Sequence, residues 1–220
     1  MKKKLVIIGT GLFPEVARCY FDELSDYVVV AFACHEKYKT SDTIYGLPLH
    51  SIEDLKNVFP PNEVDLFIAI GYKSMNRVRQ DVYEELKQID YNCATFVHPN
   101  VKIWKSTRLG DNVFIFEDNT IQPFTKIGNN TVMWSGNHLG HHSTVGNHCF
   151  ISSHVVISGS CTIGNNVFIG VNATFHDGLT IGDQSLVGAG TLISKSTKPK
   201  EVYLNSHTKP FPKDSEKLGF

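Results

Sequence analysis

The chain has 220 residues, 41% of them hydrophobic, and its 21 basic and 22 acidic side chains leave a formal net charge of −1. That length allows one or two domains, and the even balance gives no electrostatic case for nucleic acid or an anionic membrane as a partner. No apolar run approaches the roughly 20 residues that cross a bilayer, and the short apolar stretch after Lys2, Lys3 and Lys4 lacks the cleavage features of a signal peptide, so a cytoplasmic location is expected.

The first element is a buried strand, Leu5-Val6-Ile7-Ile8, that runs into Gly9-Thr10-Gly11. From Pro14 to Leu24 the apolar residues Val16, Ala17, Tyr20, Phe21 and Leu24 follow a helical stripe. Tyr27 to Ala33 is a second strand, Ser51 to Val58 opens on a serine cap and predicts a short helix, and Val64 to Ile70 is a third strand. Ser74 to Ile89 then reads as a long amphipathic helix and Cys93 to Val97 as a last strand leading into the repeats that follow. Alternating strands and helices imply a small parallel sheet with crossover helices, a Rossmann-like α/β nucleotide-binding domain over residues 1–95. Gly9-Thr10-Gly11 is its candidate phosphate cradle, because a strand-to-helix turn offers free backbone N–H groups and the positive end of a helix dipole. Pro14 stands where the dinucleotide fingerprint has its third glycine, which argues against a full NAD site and for a mononucleotide diphosphate. Glu36 is either an acceptor for a ribose hydroxyl or a solvated loop charge. Gly71-Tyr72-Lys73 lies at the same ligand-binding edge of the sheet, where Tyr72 either stacks on a base or covers the sheet edge.

From Val97 to Ile193 every sixth residue is apolar, without a residue lost or gained. A second column four residues later, from Val101 to Thr191, is almost entirely small or β-branched. Hexapeptide periodicity specifies a parallel β-helix in which three hexads close one triangular coil of about 18 residues and the aliphatics stack to fill a prism. Glycine follows the aliphatic at Gly110, Gly128, Gly140, Gly146, Gly164, Gly170, Gly182 and Gly188, and Asn or Asp often comes next or one later, as at Asn129, Asn130, Asn147, Asn165, Asn166 and Asp183. These residues are expected to carry the tight or left-handed backbone of the corners. Cys149 and Cys161 fall in the inward small-residue column, which assigns them to packing; the five cysteines include no CxxC pair.

Six histidines lie in the prism: His138, His141, His142, His148, His154 and His176. None falls in an inward column, so all six are expected to project outward or flank corners. An imidazole takes a proton near neutral pH, and the cluster Asn137-His138-Leu139-Gly140-His141-His142 makes His141 the candidate base. Metal binding is the competing use, but His138 and His142 diverge across a corner and the cluster contains no carboxylate or cysteine, so no metal is expected.

On the hexads together with the Gly9-Thr10-Gly11 domain, the whole chain resembles the left-handed β-helix sugar acyltransferases. The type is the one with an N-terminal nucleotide-sugar-binding domain, which includes sialic-acid O-acetyltransferases and N-acetyltransferases of 4-amino-4,6-dideoxy nucleotide sugars. The resemblance implies a left-handed β-helix over 96–198, a C-terminal tail over 199–220, a homotrimer, and acetyl-CoA as co-substrate in the grooves between prisms. Matched to the segment Gly140-His141-His142-Ser143-Thr144-Val145-Gly146, it implies His141 as general base. It also implies that the backbone N–H one coil later, at Gly159, meets the thioester carbonyl; stacking at eighteen residues puts Gly159 on His141 independently. Asp177, one coil further, is a candidate CoA contact, as are Val171 and Ala189 along the pantetheine and Lys195, with Lys198 or Lys209, at the adenine and phosphates. Candidate contacts to the nucleotide sugar are Gly9, Thr10, Gly11, Phe13, Glu36, Gly71, Tyr72, Lys73 and His138, with Phe13 standing where some relatives carry a histidine. His142 occupies the place of an acidic residue that orients the base in many relatives, leaving that task to Asn137 or to a neighbouring subunit.

The implied reaction is direct transfer from acetyl-CoA to an amine or hydroxyl. An amino sugar on UDP or dTDP is favoured, feeding O-antigen (lipopolysaccharide), capsule or glycoprotein glycan assembly, with O-acetylation of sialic acid or another sugar as runner-up. A carbonic-anhydrase-like metalloenzyme and a non-catalytic nucleotide-sugar-binding trimer are the alternatives from other classes.

Overall fold

The computed structural model describes residues 2–206 and Pro212. Its N-terminal part is a five-stranded sheet formed by β1 (Lys3–Ile8), β2 (Tyr27–Cys34), β3 (Thr43–Ile44), β4 (Leu47–Ser51) and β5 (Asp65–Ile68), in the order β3-β4-β2-β1-β5. β1 pairs in parallel with both β2 and β5, and β4 pairs in parallel with β2. The last four residues of β1 are buried, as a continuous aliphatic run between parallel neighbours requires. Helix α1 (Leu12–Leu24) buries Pro14, Ala17 and Phe21; the stripe read from Pro14 is therefore right in phase and two residues short.

Two local expectations need correction. Ser51 ends β4 opposite Cys34, and its hydroxyl donates to Glu53 rather than capping a helix, so only a 3-10 turn and the short α2 (Leu55–Val58) follow. Helix α3 (Arg77–Gln88) starts three residues late, because Ser74, Met75 and Asn76 all have left-handed φ (54°, 54° and 64°). Where the chain passes into the prism, Cys93 bridges back to Leu66 in the sheet, while Phe96–Val97 pairs with Phe114–Ile115 as the first rung.

The prism is a left-handed parallel β-helix with three faces of two-residue strands, each paired one coil on. The first face carries Arg108–Leu109 through Thr180–Ile181, the second Phe96–Val97 through Leu186–Val187, and the third Thr120–Ile121 through Leu192–Ile193. Both inward columns build the core: from Ile115 to Ile193 every aliphatic of the first column is at most 3% exposed. Thr125, Thr131, Ser143, Cys149, Val155, Cys161, Val167 and Ala173 of the second column are fully buried. Burial pushes the Cys149 thiol up to about 12, which suits a packing residue. The strand Val202–Tyr203 adds a rung on Leu186–Val187, sixteen residues along rather than eighteen, so the period breaks before the prism ends.

The left-handed backbone of the corners falls on expected Asn positions such as Asn130 and Asn166, and not on the glycine that follows the aliphatic. Left-handed φ recurs two residues after the glycine slot, for example at Asn112 (50°), Asn130 (56°), His142 (59°) and Asn166 (56°). The glycines serve the stacking of coils instead: a Cβ on Gly140 would lie 2.5 Å from the Gly159 nitrogen, and one on Gly170 2.5 Å from that of Ala189. Asn129, Asn147, Asn165 and Asp183 form a ladder down one corner, each side-chain Oδ1 accepting the backbone N–H of the residue one coil before it.

One face of the prism is covered by the N-terminal part. Phe96, Phe114, Val132 and Phe150 point outward from the second face and share a core with Leu5, Ile7, Phe21 and Phe67. Phe96 stacks on Phe114 at 4.7 Å and Phe21 lies edge-on to both; each such ring contributes about 1.5–3 kcal/mol by burial. Under this seam Arg79 of α3 is fully buried and donates to the carbonyls of Ile70, Gly71, Asn130, His148 and Cys149. Asn112 answers the backbone of Ile68 in both directions and donates to Asn130, which donates in turn to the Arg79 carbonyl and to His148 Nδ1.

Candidate active site

His141, Gly159, Asp177 and Lys195 form one column at the corner between the third and first faces, a coil apart each. The His141 imidazole lies directly against Gly159: a Cβ there would stand 2.7 Å from His141 Cε1 and 2.8 Å from Nε2. Gly159 must therefore be glycine for the ring to occupy its position. The Gly159 N–H makes no hydrogen bond among the described residues, and Gly140, lacking a Cβ, keeps it uncovered. A proton acceptor and a free backbone donor thus share one exposed corner, the pair an acyl transfer needs for its nucleophile and its developing oxyanion.

His141 is held from three sides. Its N–H donates to Gln122 Oε1 at 2.8 Å, its carbonyl accepts from Ser160 N at 2.8 Å, and its Nδ1 lies 3.2 Å from Nδ1 of His142. The His142 ring stacks on Phe124, centroids 4.8 Å apart and planes 24° from parallel. Asn137, expected as an orienting partner, does not reach His141. It is 2% exposed in the inward column, its Oδ1 accepting from Val155 N and its Nδ2 donating to the Trp134 carbonyl. Gln122 and Phe124 were missed, although the same arithmetic that pairs His141 with Gly159 puts Phe124 one coil beneath His142.

Of the remaining histidines, His138 is half-buried on the third face between Thr120 and Val156, away from the residues lining the cavity described below. His148 corrects the expectation of six outward imidazoles: it is 7% exposed, edge-on to Tyr83 at 5.7 Å, with Nδ1 on Asn130 and Nε2 3.8 Å from Glu84. Burial, reinforced by the Arg79 charge and opposed by Glu84, pushes its pKa below the usual histidine range. No group of three His, Cys, Asp or Glu side chains among the described residues converges to hold a metal. Val171, Asp177, Ala189, Lys195 and Lys198 are exposed along the outer corners, and Lys209 lies outside the described residues.

A cavity of about 430 Å³ opens at the carboxyl ends of β1, β2 and β5, walled by Gly9, Thr10, Gly11, Phe13, Gly71 and Lys73, among others. Gly9 has φ +132°, and a Cβ there would lie 2.9 Å from the Ala69 carbonyl oxygen and 3.0 Å from Pro14 Cγ. Gly11 precedes α1 without a side-chain cap, which leaves the first-turn N–H groups of the helix for an anion. Glu36 is not in this wall; its backbone N–H donates to Glu53, and His35 and Tyr38 line the cavity instead. Tyr72 turns away from it, lying 4.9 Å from Phe150 and 4.8 Å from Phe168 on the prism face. Phe13 both lines the cavity and packs on Phe67, Phe114, Phe116 and Trp134, so it joins the two parts of the molecule.

Two family descriptions match in the order the fold displays. Residues 4–86 match the PglD N-terminal domain, and residues 124–159 and 160–195 match the bacterial transferase hexapeptide of six repeats. The sheet domain is thus similar to a PglD N-terminal domain, and the prism from residue 124 to residue 195 carries bacterial transferase hexapeptide repeats. Solved structures share this fold. The acetyltransferase domain of PglB from Neisseria gonorrhoeae is 22% identical, with 91% of this chain and 95% of that one covered and a TM-score of 0.80. PerB from Caulobacter crescentus, in complex with CoA and GDP-perosamine, is 23% identical over 92% and 94%, with a TM-score of 0.77. WeeI from Acinetobacter baumannii is 19% identical over 91% and 95%, also at 0.77. No curated protein sequence matches the chain.

Proposed function

We propose that this chain is an acetyl-CoA-dependent N-acetyltransferase acting on a nucleotide-linked 4-amino-4,6-dideoxy sugar, carried on UDP or dTDP, in surface-glycan biosynthesis. The observation that carries the reading is the His141 ring packed on Gly159 beside an unpaired Gly159 N–H. The sugar amine attacks the thioester carbonyl, His141 Nε2 takes its proton, and the Gly159 N–H stabilises the oxyanion. The cavity at Gly9-Thr10-Gly11 supports the nucleotide half of the substrate, since its helix N-terminus suits a diphosphate. The similar fold of PerB, solved with CoA and GDP-perosamine, supports the pairing of the two substrates and places GDP sugars among those to test. Val171 and Leu192, 46% and 61% exposed on the outer prism, support assembly into a homotrimer with the sites between subunits.

The test is release of CoA thiol from acetyl-CoA with UDP-, dTDP- and GDP-linked 4-amino-4,6-dideoxy sugars, beside hydroxyl-only analogues. Release with an amino sugar alone is expected, and His141→Ala should lower kcat by about 10²–10⁴-fold while acetyl-CoA still binds. Release with hydroxyl acceptors only would replace the reading by O-acetylation, and unchanged turnover in His141→Ala would remove the base from that residue.

A further inference from the structure

His142 and Phe124 stand one coil apart at the corner position where φ is left-handed, at 59° and 63°. Elsewhere that position is held mostly by residues that tolerate it, such as Asn112, Asn130, Gly136, Asn166, Asn172 and Gly178, and by the smaller or unbranched Ser160 and Gln184. A phenylalanine is costly in this conformation, and it persists only where something else is gained. Phe124 is moreover 58% exposed, so it is not burying itself in the core. What it does contact is the His142 ring, nearly face to face at 4.8 Å. Its own backbone is pinned by a hydrogen bond from its N–H to Ser106 Oγ at 3.0 Å. The clamped His142 ring then presents Nδ1 to Nδ1 of His141 at 3.2 Å.

Two neutral imidazoles can make that contact in only two ways, because one Nδ1 must carry the proton and the other must be bare. If His141 donates, its Nε2 is bare and His142 keeps its own proton on Nε2. If His142 donates, His141 carries its proton on Nε2 and has no lone pair facing Gly159. We propose that His142, clamped by Phe124, is the positioning residue that holds the Nδ1 proton of His141 and so leaves Nε2 bare. The choice between the two arrangements rests on the acyl-transfer reading above. In the reaction the amine proton lands on Nε2 as the N–C bond forms, and His141 becomes an imidazolium still bonded to His142 through Nδ1. The C–S bond then breaks, and the departing CoA thiolate takes the Nε2 proton. An imidazole in place of a carboxylate fixes the tautomer without adding negative charge beside the base.

The experiment reads the tautomer directly, by ¹⁵N shifts of the full-length chain labelled at histidine, with the His141 signals assigned by their loss in His141→Gln. The wild type is expected to show Nδ1–H at His141. His142→Gly, which suits the left-handed backbone but removes the acceptor, should move His141 to Nε2–H and lower kcat about 10–100-fold at an unchanged KM for acetyl-CoA. His142→Asn, equally at home in that backbone and carrying a carbonyl acceptor, should restore both. A wild-type His141 protonated on Nε2 overturns the proposal, as does a His141 that stays Nδ1–H in His142→Gly. If the spectra behave as expected while no nucleotide sugar is acetylated, the tautomer assignment stands and the functional reading falls.

Discussion

At the scale of single residues, two glycines that meet across adjacent coils should respond to alanine in opposite ways. On Gly159 the new Cβ meets the tip of the His141 ring at 2.7 Å, and an exposed side chain can swing aside. Gly159→Ala should therefore lose most of its turnover with a melting temperature within about 2 °C of wild type. On Gly140 the Cβ meets the backbone of Ser158 and Gly159 at 2.5 Å, which can yield only by separating two coils. Gly140→Ala should cost about 1–3 kcal/mol, several degrees in a thermal melt. Similar melting temperatures for the two would refute this division between steric and structural glycines. His148 supplies a pH dependence. Asn130 Nδ2 donates to its Nδ1, so folding requires the neutral ring, and its folded pKa lies below the ordinary value of about 6.5. The stability it contributes is complete above about pH 6.5 and is lost as pH falls through the depressed folded value. Replacing it by Asn, which fits its left-handed φ of 58°, should flatten urea-unfolding stability between about pH 7.5 and 5.5; an unaltered slope would place the acid sensitivity elsewhere. His148 also shows where residue-level reading stops. Its hexad phase was legible and put it at a corner, but that corner faces α3, and only the packed structure turns an outward position into a buried one.

At the scale of elements, the approach of α3 to the prism depends on one buried charge. The Arg79 guanidinium is lowered to about 10 by burial and so stays protonated at neutral pH, with carbonyls for partners. Arg79→Met keeps the length of the side chain and strands those carbonyls, and should cost about 3 kcal/mol or more, measured by urea denaturation. A loss below about 1 kcal/mol would mean that water replaces the guanidinium. The elements themselves were unevenly legible. β1, β2 and β5 were evident as aliphatic runs, and the phase of α1 was right. β3 and β4 were missed because their turn, Tyr45-Gly46 with φ of 49° and 75°, lacks the Asn-Gly or Asp-Gly signature of such hairpins. The late start of α3 follows from the three left-handed residues before it, of which only Asn76 is a type that favours that backbone; Ser74 and Met75 give no signal.

At the scale of the whole molecule, the prism was legible because every hexad repeats one constraint, whereas the seam with the N-terminal part is made once. Phe96, Phe114, Phe150 and Phe168 occupy the place just before the aliphatic on four of the first five rungs of the second face, a column that marks the covered face in hindsight. The cavity followed from strand order, but its side walls, His35 and Tyr38 in place of Glu36 and Tyr72, depend on how the loops fold back. Contacts along the prism span eighteen residues, while those that dock it, such as Asn76 to Val167, span 91. That difference gives the molecule a mechanical polarity. Force applied at the C-terminus would first meet coils held by short-range ladders, which unspool singly and release about 60 Å of contour for each turn of about 18 residues. Past the single exposed bond from Arg77 to Gln184, extension would stall at the coil containing Asn166 and Val167, where Asn166 bonds Met75 and Gln80 and Asn76 holds the Val167 carbonyl. Beyond that point the load passes to α3, and the prism no longer yields one turn at a time.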